Sequence, residues 1–526
     1  GQVNEGAAWI YRGSAAGLVS TPYWYEQSDQ ENAQFGYSVG AAGDVNGDGY
    51  GDVIVGTPYY AHGAAEEGAA WVYHGSSSGV STTSSWHKES DQAGARFGYS
   101  VATAGDVNND GYADVVVGAP LTDHGQVDEG VAWIYHGSAA GLGLVPSRHM
   151  ESDHAGAQFG YSVATAGDVN ADGFSDVVVG APYWEDDAMN EGRAWLYLGS
   201  DTGLSSSAAW HAESNTSGAR LGHAVASAGD VNGDGYSDVV VGAPYWADGT
   251  ATGEGRVWVF HGSASGLSAT HAWTRESGQS DAYYGYAVGT AGDVNGDGYA
   301  DLLIGAPSMT PSGGAPSAGL VRLYLGSAAG LGSTYAWTGQ GGGALSWFGI
   351  SAGTAGDVNG DGYADLVIGA KDDDTVLQNE GKVVCYYGNG RSGAALALRQ
   401  LNSAGQVLAS LGHTDEDTFR LAFVHTSPFG RGKIMAEIAV KPLGINFDGH
   451  GTYIPGGLWM NHTLPGATSM IAGDLHFDQA YHWRMRTLYH PGTTPWMPAS
   501  RWVTVPWNGW NEEDLGTSGS NLFLPL

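Results

Sequence analysis

A single cysteine, Cys385, stands in a chain of 526 residues. No intramolecular disulfide can form, so a secreted life would need another staple. Basic residues are also scarce: 20 Lys and Arg against 55 Asp and Glu give a formal charge of −35. Nucleic acid and anionic membrane surfaces are poor partners for such a chain, and cations are natural ones. No uninterrupted apolar run approaches the ~20 residues of a membrane helix, and no signal-peptide pattern opens the sequence. Membrane insertion is not expected. Charged residues of both signs make up only 14% of the chain, so the acid must be gathered in particular places.

What abounds is glycine, 86 residues, with 19 Trp and 28 Tyr. This composition implies many turns between aromatic strands, an all-β protein, and the length calls for at least two domains. The acid gathers in "GDVNGDGYGD", residues 43–52, which returns as "GDVNNDGYAD", "GDVNADGFSD", "GDVNGDGYSD" and twice as "GDVNGDGYAD". Its first Asp falls at 44, 106, 168, 230, 293 and 357, at spacings of 62, 62, 62, 63 and 64. Such a period means stacked supersecondary units. Each unit opens with an aromatic residue or Leu before Gly (Phe35, Phe97, Phe159, Leu221, Tyr284, Phe348) and leaves the acidic loop in a run such as "VVVGAP". Apolar on consecutive residues, that run reads as a strand covered on both faces. The third strand of a unit carries "AWVYHGS" and the fourth lies around Trp86 and its equivalents.

Four-stranded sheets covered on both faces and repeated in series are propeller blades, with a solenoid as the alternative. The third-strand motif occurs seven times, from "AWIYRGS" to "VVCYYGN", but the acidic loop only six. The expected fold is therefore an all-β, seven-bladed β-propeller, six complete blades plus an N-terminal half-blade, over residues 1–390. Its missing strands must come from elsewhere, or the ring closes on a half-blade. Cys385 fills the slot of Ile10, Val72, Ile134, Leu196, Val259 and Leu323. It reads as a packed core thiol rather than a nucleophile.

The acidic loops place side-chain oxygens at positions one, three, five and nine, with the carbonyl of position seven pointing the same way. The candidate metal ligands are Asp44, Asn46, Asp48, Tyr50 and Asp52; Asp106, Asn108, Asp110, Tyr112 and Asp114; and Asp168, Asn170, Asp172, Phe174 and Asp176. The later loops supply Asp230, Asn232, Asp234, Tyr236 and Asp238; Asp293, Asn295, Asp297, Tyr299 and Asp301; and Asp357, Asn359, Asp361, Tyr363 and Asp365. An all-oxygen set of this kind suits a hard cation, and a flexible loop suits calcium better than magnesium. About six calcium ions are expected. An EF-hand would continue to a Glu at position twelve, where Val55 stands instead. The plain alternative is a set of solvated Asn-Gly and Asp-Gly turns.

These residues resemble the FG-GAP repeat of integrin α-subunit propellers, in which a Phe-Gly opening, a calcium-binding hairpin and a Gly-Ala-Pro strand end recur. "GAP" stands at 118–120, 180–182, 242–244 and 305–307, while the first copy reads Gly56-Thr57-Pro58 and the last Gly369-Ala370-Lys371. The resemblance implies a propeller that is usually seven-bladed, extracellular, and used for adhesion or assembly rather than catalysis. The integrin inserted ligand-binding domain is absent, and the sequence looks more like bacterial secreted FG-GAP proteins. That points to a secreted or cell-surface location.

Residues 391–512 read as a second domain, in which "TFRLAFVHTSPFG" and "KIMAEIAVKPLG" suggest successive strands. "AYHWRMRTLYHP" alternates Tyr481, Trp483 and Met485 with His482, Arg484 and Arg486, as a half-buried strand should. It resembles the late strands of a fibronectin type III sandwich. Residues 513–526 end in the apolar "NLFLPL", which docks on its own sandwich or adds to a neighbouring subunit at the incomplete blade.

Three functions follow from these readings. The first is a calcium-stabilised extracellular scaffold or adhesion protein that self-associates through tail and incomplete blade. A calcium-dependent glycan-binding propeller is the second, resting on Tyr59-Tyr60, Tyr183-Trp184 and Tyr245-Trp246, each after a strand-ending Pro; the same rings would also serve to pack blades. A secreted hydrolase or lyase comes third. No Ser-His-Asp order, zinc spacing or phosphate loop supports it, and His74, His136 and His261 share one strand slot that reads as structural.

Overall fold

The computed structural model describes residues 2–14, 17–76, 78–249, 252–359, 363–373 and 381–388, and beyond them a set of strands between 399 and 517. Strands β1 (Ala7–Ile10) and β2 (Trp24–Gln27) pair antiparallel ahead of the first full sheet. That sheet runs β3 (Ser38–Gly43), β4 (Asp52–Thr57), β5 (Ala69–Tyr73) and β6 (Trp86–Glu89), each strand antiparallel to the next. The same four-stranded meander recurs in the second to fifth repeats, and the sixth contributes Phe348–Gly356, Asp365–Ala370 and Lys382–Tyr386. A fourth strand of the sixth repeat would fall outside the described residues. The result is an all-β, six-bladed propeller with no helix among the described residues.

The second strands are the densest part of the core. All six residues of Asp114–Ala119, Asp176–Ala181, Asp238–Ala243 and Asp301–Ala306 are buried, as unbroken apolar runs require. Packing is between blades. In the first junction Ile54, Ala70, Val72 and Trp86 meet Val115, Val117 and Tyr135 of the next sheet. The fourth-strand Trp also stitches forward: Trp86 Nε1 donates to the Gly143 carbonyl (2.9 Å), and Trp210 and Trp273 repeat this to Ser268 and Gly332. An indole on the outermost strand thus serves as both apolar filler and cross-blade donor.

The β1–β2 pair continues this ring order. Ala8, Ile10 and Trp24 pack on Phe35, Val55 and Tyr73 of the first blade, and Gly6 bridges Phe35 as Gly68 bridges Phe97. On the other side Leu18 N donates to Tyr387 Oη (3.1 Å), and Gly13 sits so close to Val358 that an added Cβ would lie 2.3 Å from its carbonyl. Gly137 and Val45, Gly199 and Val107, and Gly388 and Val294 make the same approach between consecutive blades. The pair therefore stands after the sixth blade and before the first. Among the described residues no strand pairs with the inner edge of β1. Its neighbours show the lack: Val39 is 59% exposed where Val101 is 7%, and Val383 is 71% exposed where Val321 is fully buried.

Beyond residue 398 two further sheets appear. One orders Val407–Leu408, Arg399–Leu401, Phe419–His425 and Gly466–Ala472; the other is built on the long antiparallel pair Gly432–Pro442 and Ala480–Tyr489. Phe419–His425 and Gly432–Pro442, successive in sequence, lie in different sheets. The start of the C-terminal tail, Leu515–Thr517, pairs with Gly412–Thr414 and with Ala480 and Tyr481. "SRWVTVP" and residues 518–526 lie outside the described residues.

Candidate metal centres at the acidic hairpins

Each acidic loop joins the first and second strands of its blade. Gly at position six takes a left-handed backbone that a side chain would strain (Gly49 φ 87°, Gly111 φ 91°, Gly298 φ 88°), which lets the chain bend back on itself. Position one then gathers the bend. Asp44 accepts the amides of Asp48 (3.0 Å) and Gly49 (2.7 Å), Asp48 accepts that of Tyr50 (2.9 Å), and Asn46 accepts from Asp48 N and donates to its carboxylate. The second to fifth loops repeat this scheme. In the sixth, Asp357, Asn359, Tyr363 and Asp365 are described and Asp361 is not.

Position nine does something the sequence did not announce. Asp52 accepts Val45 N with Oδ2 (2.9 Å) and Gly75 N with Oδ1 (2.7 Å), tying its loop to the turn after the third strand. Asp114, Asp176, Asp238, Asp301 and Asp365 make the same two bonds. This carboxylate therefore staples the blade whether or not it also binds an ion. The loops are also linked to one another. The position-eight amide of each loop donates to the position-one carbonyl of the loop before: Ala113 to Asp44 (2.9 Å), Ser175 to Asp106 (2.9 Å), and so on to Ala364 and Asp293 (3.0 Å).

Burial sets the electrostatics. Desolvation pushes the Asp52 carboxyl up to about 7 and those of Asp106, Asp230 and Asp293 to about 6, against the lowering effect of the backbone amides they accept. Asp114, Asp176, Asp238 and Asp301 are raised well above the carboxylate range, again chiefly by burial. Among the described residues none of Asp44, Asp106, Asp230 or Asp293 forms an ion pair with Lys or Arg. Nor does any described loop bring three Asp carboxylates within 4.8 Å of one another at once. Asp44, Asp106, Asp230 and Asp293, held by backbone amides and without a Lys or Arg ion pair among the described residues, fit a hard divalent cation, which would supply the missing charge. His136 and His261 stand beside the loops, their Nδ1 at 3.4 and 3.2 Å from Asn108 and Asn232.

The opposite end of the blades carries aromatic rings that sequence reasoning did not connect. Tyr37, Tyr99, Tyr161, His223 and Tyr286 follow the Phe-Gly position and form a collar, with successive centroids 5.0, 4.9, 5.1 and 4.5 Å apart. The repeat spacing held the signal, since each is the second residue after the opening aromatic or Leu. Tyr59, Tyr183 and Tyr245 flank it, with Arg96 over Tyr59 and Arg220 between Tyr183 and Tyr245. Trp184 and Trp246 lie under Arg193 and Arg256. These ring faces are already engaged.

Comparison with known proteins agrees with this geometry. The FG-GAP repeat matches residues 35–73, 97–135, 159–197, 221–260, 284–324 and 348–386. The chain is 33% identical to integrin alpha-V of Gallus gallus over 225 residues, 40% of this chain and 20% of that protein. It is 31% identical to integrin alpha-5 of Xenopus laevis over 227 residues, and 35% identical to integrin alpha-PS2 of Drosophila melanogaster over 224, with 40% of this chain covered in both and 20% and 15% of those proteins. The chain thus spans about a fifth or less of the length of these relatives. Six FG-GAP repeats match the chain, and its propeller is similar to those of integrin alpha subunits.

Proposed function

We propose that the chain is a calcium-stabilised extracellular scaffold or adhesion protein, non-catalytic, that self-associates at its incomplete blade. The carrying observation is the repeated hairpin in which Asp44, Asp106, Asp230 and Asp293 accept backbone amides and, among the described residues, form no ion pair with Lys or Arg. The ion is calcium, about six per chain, held by the side chains of positions one, three, five and nine and the carbonyl of position seven. With dissociation constants of ~0.1 mM and ~1 mM calcium, each site adds about 1.4 kcal/mol, and six add roughly 8 kcal/mol. That compares with the ~5–15 kcal/mol by which a domain is stable, so the ions can replace the absent disulfides. Calorimetric melting with calcium and with chelator is the test. Equal melting profiles would end this reading.

The extracellular location rests on the likeness to integrins, and we read the chain, with its evenly spaced repeats, as closer in kind to bacterial secreted FG-GAP proteins. The two C-terminal sheets we read as fibronectin type III-like. Self-association rests on the β1 edge. The pair β1–β2 is half of a seventh blade, and Trp9, Tyr11, Val39 and Val383 stand exposed around the place of its missing strands. An unpaired strand edge rimmed by apolar side chains accepts an added strand, and "NLFLPL" of another copy has the composition for it. The glycan reading is weaker, because arginine side chains lie over Tyr59, Tyr183, Trp184, Tyr245 and Trp246, five of the six rings it needs. A glycan array that gives calcium-dependent hits would revive it.

A further inference from the structure

Away from the hairpins, the first and second blades carry a second kind of cluster. His124, in the connection between second and third strands, meets His149 and Glu151 of the fourth strand (Arg148–Glu151), with one ligand atom from each within 4.8 Å of the others. His124 Nδ1 is hydrogen-bonded to the Glu151 carboxylate, and the two imidazoles lie 4.9 Å apart. Behind them the fully buried Glu129 accepts the His124 amide at Oε1 (2.7 Å), while its Oε2 makes no hydrogen bond. Sixty-two residues earlier the first blade carries the same residue types, His62, His87 and Glu89, joined there as two His–Glu89 pairs rather than as one three-way cluster. His62 Nδ1 lies 3.2 Å from Glu89 Oε2 and His87 Nε2 3.2 Å from Glu89 Oε1. Glu67, Glu89 and Asp91 bring further carboxylate oxygens within 4.8 Å of one another there.

The third and fourth blades show what the same place becomes when the protein supplies its own cation. Opposite the fourth-strand carboxylate, the third strand carries Arg193 facing Glu213 and Arg256 facing Glu276. Arg193 pairs with Glu213 and lies 3.8 Å from Asp186, and Arg256 lies 3.8 Å from Glu276. The connection residue there is Asp186 or Asp248. In the first and second blades the facing residues are Ala69 and Val131, and the connection residue is His62 or His124. Where the arginine is gone, the acid in the connection is gone too, and imidazoles take its place. An exchange of this pattern replaces a fixed guanidinium with ligands for a cation that comes from solution.

We infer that His124, His149 and Glu151, and likewise His62, His87 and Glu89, each bind a divalent ion of the zinc class. Two imidazoles and one carboxylate form a donor set that favours zinc, nickel or copper over calcium. Three protein ligands leave a fourth position for water or for a donor from another molecule. Tetrahedral zinc at 2.0–2.1 Å spaces its ligand atoms about 3.3 Å apart. The ligand atoms already lie within 4.8 Å of one another, so reaching that spacing needs only a small shift of the connection bearing His124. The two site classes then divide the available metals, hard ions at the hairpins and borderline ions on the rim.

The test titrates the full chain, saturated with calcium, with zinc chloride in a calorimeter, and counts bound zinc after dialysis. Two ions per chain are expected, one per cluster, not displaced by millimolar calcium. His149→Ala should leave one, and His87→Ala with His149→Ala none, with affinity falling by more than the ~10–100-fold typical of losing an outer-shell partner. His124→Asp with Val131→Arg copies the third blade; it should abolish the second-blade ion while the melting profile in calcium stays intact. Cobalt(II) in place of zinc should give the visible bands of four-coordinate metal. No zinc retained, or a stoichiometry that survives the double histidine variant, overturns the inference. Neither result depends on calcium at the hairpins, which is measured separately by chelation.

Discussion

Between the second and fifth blades, four-stranded sheets pack face to face; at the junction of β1 with the sixth blade, no described strand pairs with the inner edge of β1. The same residue type at the same strand position has opposite fates in the two regions. Val101, Val163 and Val225 are buried, whereas Val39 stands open; Val257 and Val321 are buried, whereas Val383 is open. Burial in a repeat is therefore conferred by the neighbour and not by the unit, and sequence periodicity alone assigns all copies the same environment.

The largest test of this contrast is metal removal. Chelation should cost roughly 8 kcal/mol over all hairpins, and hydrogen exchange should speed up first at β1, β3 and the sixth blade, later at Asp176–Ala181. A uniform rise across all blades would erase the distinction. Next come paired truncations. Val101→Ala should cost about 2 kcal/mol in urea unfolding, and Val39→Ala less than ~0.5 kcal/mol, because only the first opens a cavity. Equal costs would mean that the open position is covered in solution.

A smaller effect concerns protons. Carboxyls raised to about 6 or 7 in the metal-free fold, such as those of Asp106 and Asp52, hold protons that calcium must displace. Raised acids stabilise the metal-free fold at low pH, and that contribution fades as pH rises through their folded values. The calcium-dependent gain in melting temperature should therefore shrink between about pH 7.5 and 5.5. A gain that is flat across this window would remove those Asp from the ligand set. The smallest effect on stability is expected from removing residues 518–526. Melting should stay unchanged while light scattering shows loss of association; unchanged scattering would leave the β1 edge without its partner.

Much of this architecture could be read from the chain. The 62-residue period placed all four strands of each full blade, because a buried second strand and an aromatic third strand carry strong local patterns. The hairpins were legible for the same reason: five oxygen-bearing positions lie within ten residues. Three features were not legible. Asp52 was read as a ligand only, since its bond to Gly75 spans 23 residues that nothing local connects. The collar of Tyr37, Tyr99, Tyr161, His223 and Tyr286 is made by contacts about 62 residues apart. The exchange of Arg193 and Asp186 for Val131 and His124 becomes visible only once the register sets each pair side by side.

The amide that each hairpin donates to the hairpin before it makes the six loops a daisy chain rather than six separate pockets. If the proposed ions bind, an ion in one loop would steady the carbonyl-bearing bend of its predecessor through this bond. A calcium titration should accordingly rise more steeply than six identical, independent sites permit, with a Hill coefficient above one. Among the described residues the bonds run from Ala113 on the second loop to Ala364 on the sixth, five links in all.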